Sequence, residues 1–268
     1  MSLRLEPDTA LGYANGMLGT SLDLTTLAIV FLGALIAGFT TGFAGFGTGL
    51  VASGLWFHAL PAPMVPPLVA LASVAGQLVG VVTVRKAFDW PRMMPYLVGG
   101  AVGIPLGVGA LAAVSPFLLR TSVGAFLIVY SVYQLIGRRP REIGAWGGKL
   151  ADGVVGIAGG FLGGFAGLSA PAPLIWLQLR GGESDSQRAI YQPFNLIVLT
   201  FASAAMAVGG QIGAPLMGIA LVCLPVTMVG AWIGARAYVG VSPQTFQRLV
   251  LCLLLASGCI LLAQAFGL

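Results

Sequence analysis

The sequence predicts an all-α polytopic membrane protein of two inverted-topology repeats, each a Gly-rich broken helix or re-entrant hairpin followed by three transmembrane helices. Three observations predict it. The 268 residues are 57% hydrophobic and 8% charged and include 40 Gly, a composition foreign to soluble domains. Leu24 to Val84 and Ala189 to Ala235 contain no Asp, Glu, Lys or Arg, and apolar runs longer than about 20 residues mark membrane spans. Finally, a glycine motif occurs twice: Gly38, Phe39, Gly42, Phe43, Ala44 and Gly45 fall on Gly160, Phe161, Gly164, Phe165, Ala166 and Gly167 at a constant shift.

Both copies lie inside apolar runs, where Gly and Pro interrupt helices and leave main-chain groups unpaired. In hydrocarbon such backbone is tolerated only when buried in protein or lining a wet cavity. Paired breaks in corresponding positions of two halves point to a transporter's substrate site. The competing reading is close helix packing through small residues four apart.

In order, residues 1–23 form a polar tail with no evident cleavable signal peptide. The first repeat, 24–137, opens with a charge-free run longer than two crossings, ending its first part at the interface-suited Trp56-Phe57-His58. Pro61, Pro63, Pro66 and Pro67 then punctuate before spans over about Leu68 to Val84, Met94 to Val114 and Leu119 to Gly137. A basic linker occupies 138–149. The second repeat, 150–268, places its motif in Gly153 to Leu179, a polar loop over Arg180 to Arg188, and spans at Ala189 to Val208, Pro215 to Ala235 and Phe246 to Phe266. Gly103, Gly107, Ser115 and Pro116 match Gly230, Gly234, Ser242 and Pro243, which extends the duplication.

Charge distribution tests the topology. If each motif were one ordinary crossing, Lys and Arg would divide eight to five between the two sides. If each motif makes an even number of crossings, all 13 except Arg4 and Arg120 share one side. The second arrangement obeys the positive-inside rule far better. The expectation is therefore inverted repeats with cytoplasmic basic loops and both termini outside.

Catalytic and metal chemistry finds no footing. HExxH, GxSxG and Walker A patterns are absent, and Cys223, Cys252 and Cys259 lack CxxC spacing. No cofactor or nucleic-acid partner is expected, and the net charge of +5 reads as an orientation signal. His58 reads as an interfacial anchor. Lys149 and Asp152 read as a helix edge, Arg236 as a snorkelling residue, and Arg188 as an orientation charge that could draw anions to a cytoplasmic mouth.

What remains at membrane depth is neutral and polar: Thr48, Ser53, Ser73 and Gln77, then Ser169, Gln192, Asn195, Thr200 and Ser203. Each can equally be bonding a neighbouring helix. Together they flank the two motifs, where helix N-termini and hydroxyl or amide donors suit a small anion held without Lys or Arg.

On the doubled motif, GFAGFGTG at Gly42 to Gly49 and GGFLGGFAGLSAPAP at Gly159 to Pro173, the chain resembles the TauE/SafE sulfite exporter family over about Thr26 to Phe266. The resemblance implies a permease for sulfite or organosulfonates and carries substrate-binding roles onto Gly45, Gly47, Thr48 and Gly49, and onto Gly167, Ser169, Ala170 and Pro171. Thr48 interrupts the usual first glycine triplet, and Ser169 and Ala170 stand where glycines are usual. With Ser53, Gln77, Gln192, Asn195 and Thr200 these form the expected substrate site. A coupling proton or sodium ion is a further possible partner. An uptake permease for a related oxyanion or carboxylate, and a non-transporting scaffold subunit, remain the alternatives.

Overall fold

A computed structural model describes residues 24–84, 89–136, 143–144, 146–237 and 243–267. The described residues form helices and connections with no strand. The helices are α1 (Leu24–Ala44), α2 (Thr48–Trp56), α3 (Val65–Val84), α4 (Trp90–Ala113), α5 (Pro116–Ile136), α6 (Gly148–Ala166), α7 (Pro171–Arg180), α8 (Ser184–Val208), α9 (Ala214–Arg236) and α10 (Pro243–Phe266). All but α2 and α7 are long and apolar enough to cross a bilayer.

α1 has 21 residues, about 31 Å at 1.5 Å each, which matches the hydrocarbon thickness. After it the chain turns back. Thr48 at the start of α2 bonds Thr41, and Trp56 at its end donates its indole N–H to the Val30 carbonyl at 3.1 Å. α2 therefore descends beside α1. α6 and α7 are the corresponding pair, joined at Gly167 to Ala170.

The glycines predicted to be breakers divide into two kinds. Gly45, Gly47 and Gly167 have φ of 83°, 114° and 72°, left-handed values that favour glycine, and they are the breaks. Gly38 and Gly42 are helical, and a Cβ on either would strike the Thr227 or Ala231 carbonyl of α9. Reciprocally, Gly230 and Gly234 of α9 face the Leu35 and Phe39 carbonyls of α1. Gly156 and Gly160 of α6 meet Tyr96 and Gly100 of α4, while Gly103 and Gly107 meet Ile157 and Phe161. The helical glycines of both matched sets are thus backbone-to-backbone interlocks that admit no side chain.

Residue numbers rise together along both interlocks, so α1 runs parallel to α9 and α4 parallel to α6. α5 and α10 run antiparallel, with Phe117 against Phe266 and Gly124 against Gly258. α1 and α6 each find their tightest partner in the other half of the chain. α3 and α8 pack on one another at the centre. Two-thirds of their spanning residues are buried, against 22–39% elsewhere.

Several boundaries move from expectation. α3 begins at Val65, so Pro66 and Pro67 occupy its first turn, where a missing N–H costs nothing. The expected loop at Arg180 to Arg188 shrinks to residues 181–183, because α8 begins at Ser184. Gly148 and Lys149 already belong to α6, while half of the expected linker, 138–142 and 145, together with residue 137 and the 1–23 tail, lies outside the described residues. So do Arg4, Arg85, Lys86, Arg138, Arg139 and Arg141. Of the described cations, Arg92, Lys149, Arg180, Arg188, Arg236 and Arg248 stand at the end of the bundle where α1 finishes and α6 starts; Arg120 stands at the other.

Candidate functional site

The two breaks meet. A Cβ built on Gly49 would lie 2.8 Å from the Gly167 carbonyl oxygen and 3.5 Å from Ser73 Oγ. Around this contact Gly47, Thr48 and Gly49 from the first break and Gly167, Ser169 and Ala170 from the second line one cavity with Ser73 of α3 and Asn195 of α8. Its volume is about 10 Å³, room for one water at most.

Several carbonyls at each break are taken up by nearby donors. The Gly45 amide donates to Thr41 O at 2.7 Å, Gln192 Nε2 donates to Gly45 O at 2.9 Å, and Arg188 donates to Ala44 O at 3.4 Å. At the second break Gly167 N–H reaches Gly163 O at 3.0 Å and Leu168 N–H reaches Leu162 O at 3.1 Å. The amide side differs. In α2, Thr48 N–H donates to Thr41 Oγ1 at 2.8 Å, and the Thr41 and Thr48 hydroxyls bond each other. The amides of Gly49 and Leu50, in the first helical turn, have no carbonyl four residues back in α2 to accept them.

α7 offers less. Pro171 and Pro173 remove two first-turn donors, leaving Ala172 N–H, although the resemblance assigns Pro171 to binding. Its contribution is a preset φ at the helix start. Ser169 donates its hydroxyl to Asn195 Oδ1, which joins the second break to α8 and spends the Ser169 donor, while the Asn195 side-chain NH2 donors are not used in that bond. Ser73 Oγ is buried and, among the described residues, without a hydrogen-bond partner.

Other expected residues fall elsewhere. Gly45 and Gln192 form the capped back of the first break. Ser53 and Gln77 are buried, with Ser53 Oγ and Gln77 Oε1 unpartnered among the described residues, but they do not line the shared cavity. Thr200 is exposed and donates back to Leu196 O at 2.7 Å, since a helix with one buried face must turn its remaining positions outward. It stands apart from the site.

Two residues make contacts that the sequence does not announce. Arg188, from the first turns of α8, reaches the Ala44 carbonyl at the end of α1, where a cation complements the helix dipole. Asp152, in the first turns of α6, is turned inward. It is 7% exposed and accepts Tyr96 Oη–H at 2.6 Å and Trp176 Nε1–H at 2.8 Å, with Arg180 Nη2 at 3.2 Å. Those partners lie 24 to 56 positions away, so nothing local in the sequence announces them. His58 likewise bonds Ser257 at 3.1 Å and Gln264 at 3.2 Å, tying the end of α2 to α10.

The family model described as Sulfite exporter TauE/SafE matches residues 30–261, both breaks included. A protein described as "Probable sulfite/organosulfonate exporter TauE", from Cupriavidus necator, is 25% identical over 230 residues, covering 83% of this chain and 88% of the relative. No solved structure matches.

Proposed function

Since the chain belongs to the Sulfite exporter TauE/SafE family, we propose that it is a secondary transporter that exports sulfite or small organosulfonates through the cavity between its two helix breaks. The observation that carries this reading is the convergence of both breaks on one cavity, with Gly49 against Gly167. The Gly49 and Leu50 amides at the positive end of α2 would bind the anion's oxygens, with the Ser73 hydroxyl and the Ala172 amide completing the shell. Thr48, Ser169 and Asn195 hold the rim. Gly45, Gly47 and Gly167 let the backbone turn there; Arg188 and Gln192 engage the Ala44 and Gly45 carbonyl oxygens.

The halves are read as inverted repeats over 24–137 and 150–268. Parallel α1–α9 and α4–α6 together with antiparallel α5–α10 support that reading, as does the crowding of described cations at one end. By the positive-inside rule that end faces the cytoplasm of a bacterial cell, with the termini outside. The cavity is too small for a sulfur oxyanion, so loading requires the breaks to separate as one repeat rocks against the other. A proton or sodium ion would supply the coupling.

Flux into proteoliposomes tests this. Labelled sulfite should cross in a saturable, protein-dependent manner, and Gly49→Val, which crowds the Gly167 carbonyl, should stop it while the protein still inserts. Absence of sulfite and sulfonate flux in the unaltered protein would refute the assignment and favour a scaffold role.

A further inference from the structure

The outer end of α7 is held by a charged lock. Arg180, its last residue, donates through Nη2 to the Gly148 and Trp146 carbonyls at 2.8 and 3.2 Å and pairs with Asp152 at 3.2 Å. Its guanidinium also lies over the Trp176 ring, 5.3 Å from the centroid. The corresponding end of α2 is fastened differently, by neutral Trp56 and by His58. This asymmetry has no source in the motif itself.

The lock forms one wall of a second cavity of about 340 Å³ at the basic end of the bundle, completed by Arg92, Gly181, Ser186 and Gln187. That space holds a small oxyanion with several waters. All the hydrogen bonds and the ion pair of Arg180 among the described residues use Nη2, while its buried Nε has no partner. A guanidinium presents five N–H donors in a fixed fork, and its paired edge is matched to oxyanions. The donors aimed at Asp152 converge on one oxygen, Oδ1, so Tyr96 and Trp176 can keep that carboxylate satisfied if Arg180 leaves it.

We propose that this cavity is a second anion station, with Arg180 as its ligand, and that the Asp152–Arg180 pair is an exchangeable latch on α7. A sulfite-class oxyanion takes the guanidinium, its charge replacing that of Asp152. The outer end of α7 is then released. α7 has ten residues, about 15 Å as a rod, and its other end forms the second break. Occupation of this station thereby loosens the cavity between the breaks. The identity of the anion rests on the transport reading; the site does not.

Trp176 supplies the probe. The fluorescence of the full-length purified protein, minus that of Trp176→Phe, is titrated with anaerobic sodium sulfite, using sodium chloride to hold ionic strength. A saturable change is expected, absent in Arg180→Gln. Asp152→Asn removes the competing charge and should bind sulfite at least about tenfold more tightly, yet transport it more slowly because the latch no longer resets. An unfolded variant cannot show that gain. If Asp152→Asn binds no tighter than the unaltered protein, the pair is structural and the proposal fails. Flux indifferent to Arg180→Gln would also overturn the station while leaving the carrier intact. Arg180-dependent binding without any flux would instead sink the carrier reading and leave the station standing.

Discussion

Replacing Gly167 with alanine tests the second break at the scale of one atom. Gly167 has φ of 72°, and placing an L-residue there costs about 1–2 kcal/mol. The new Cβ would lie 2.8 Å from Val69 Cγ1, 2.9 Å from Ala70 N and 3.1 Å from Pro66 O. Two of those atoms belong to the backbone of α3 and cannot swing aside, so over-packing adds about 1–3 kcal/mol. Gly210 provides a matched control, with φ of 75° and nothing within 4 Å of its Cβ; alanine there carries the conformational cost alone. Both variants should melt below the unaltered protein, Gly167→Ala lower by the packing difference. Pushing α3 from the break also displaces the start of α7 from Gly49, so sulfite flux at equal insertion should fall for Gly167→Ala and persist for Gly210→Ala. Equal melting temperatures and equal flux would refute the packing of this break against α3.

Thr41→Val removes the acceptor for Thr48 N–H and should destabilise the protein by about 1–3 kcal/mol, read as a lower melting temperature with reduced flux. Gly103→Leu drives a side chain into the Ile157 carbonyl and should abolish monodisperse protein on size exclusion. Gly109→Ala, on the same helix with open space around it, should be neutral or stabilise by about 0.5–1 kcal/mol. Arg188→Gln uncaps the end of α1 and should lower flux more than stability. Thr200→Val, on an exposed face, should leave flux unchanged.

The helices and their breaks were legible because each has a local cause: apolar length for the spans, positive-φ glycine for the turns. The duplication was legible too, yet its glycines served two purposes that a string of letters does not separate. Gly42 and Gly45 are three positions apart, but one admits a carbonyl from α9 and the other turns the chain. Only the neighbour across the interface distinguishes them. Asp152 shows the limit more sharply. In sequence it is a carboxylate near a helix start; its burial depends on Tyr96, Trp176 and Arg180, which α4 and α7 deliver. Thr200 erred in the other direction, because hydropathy places a residue at membrane depth without deciding which way its face turns. Ser73 was visible as a polar residue at depth, and its place beside both breaks follows from α3 crossing the centre.

On the proposed reading, the breaks would let a cavity suit an anion with no lysine or arginine in its lining. Interrupting a helix creates a carbonyl end and an amide end a few residues apart, and left alone their partial charges would cancel over the cavity. Here Arg188, Gln192 and the Gly45 amide take up the Ala44, Gly45 and Thr41 carbonyls at one break, and the Gly167 and Leu168 amides take up the Gly163 and Leu162 carbonyls at the other, while the Gly167 carbonyl oxygen stays against Gly49. The amide ends are unequal, since Pro171 and Pro173 strip α7 of donors that Gly49 and Leu50 retain in α2. On the proposed transport reading the first break would be the stronger binding half and the second the half that yields. The proposed Asp152–Arg180 latch sits at the far end of α7, the half-helix whose grip on cargo would then depend least on its own amides.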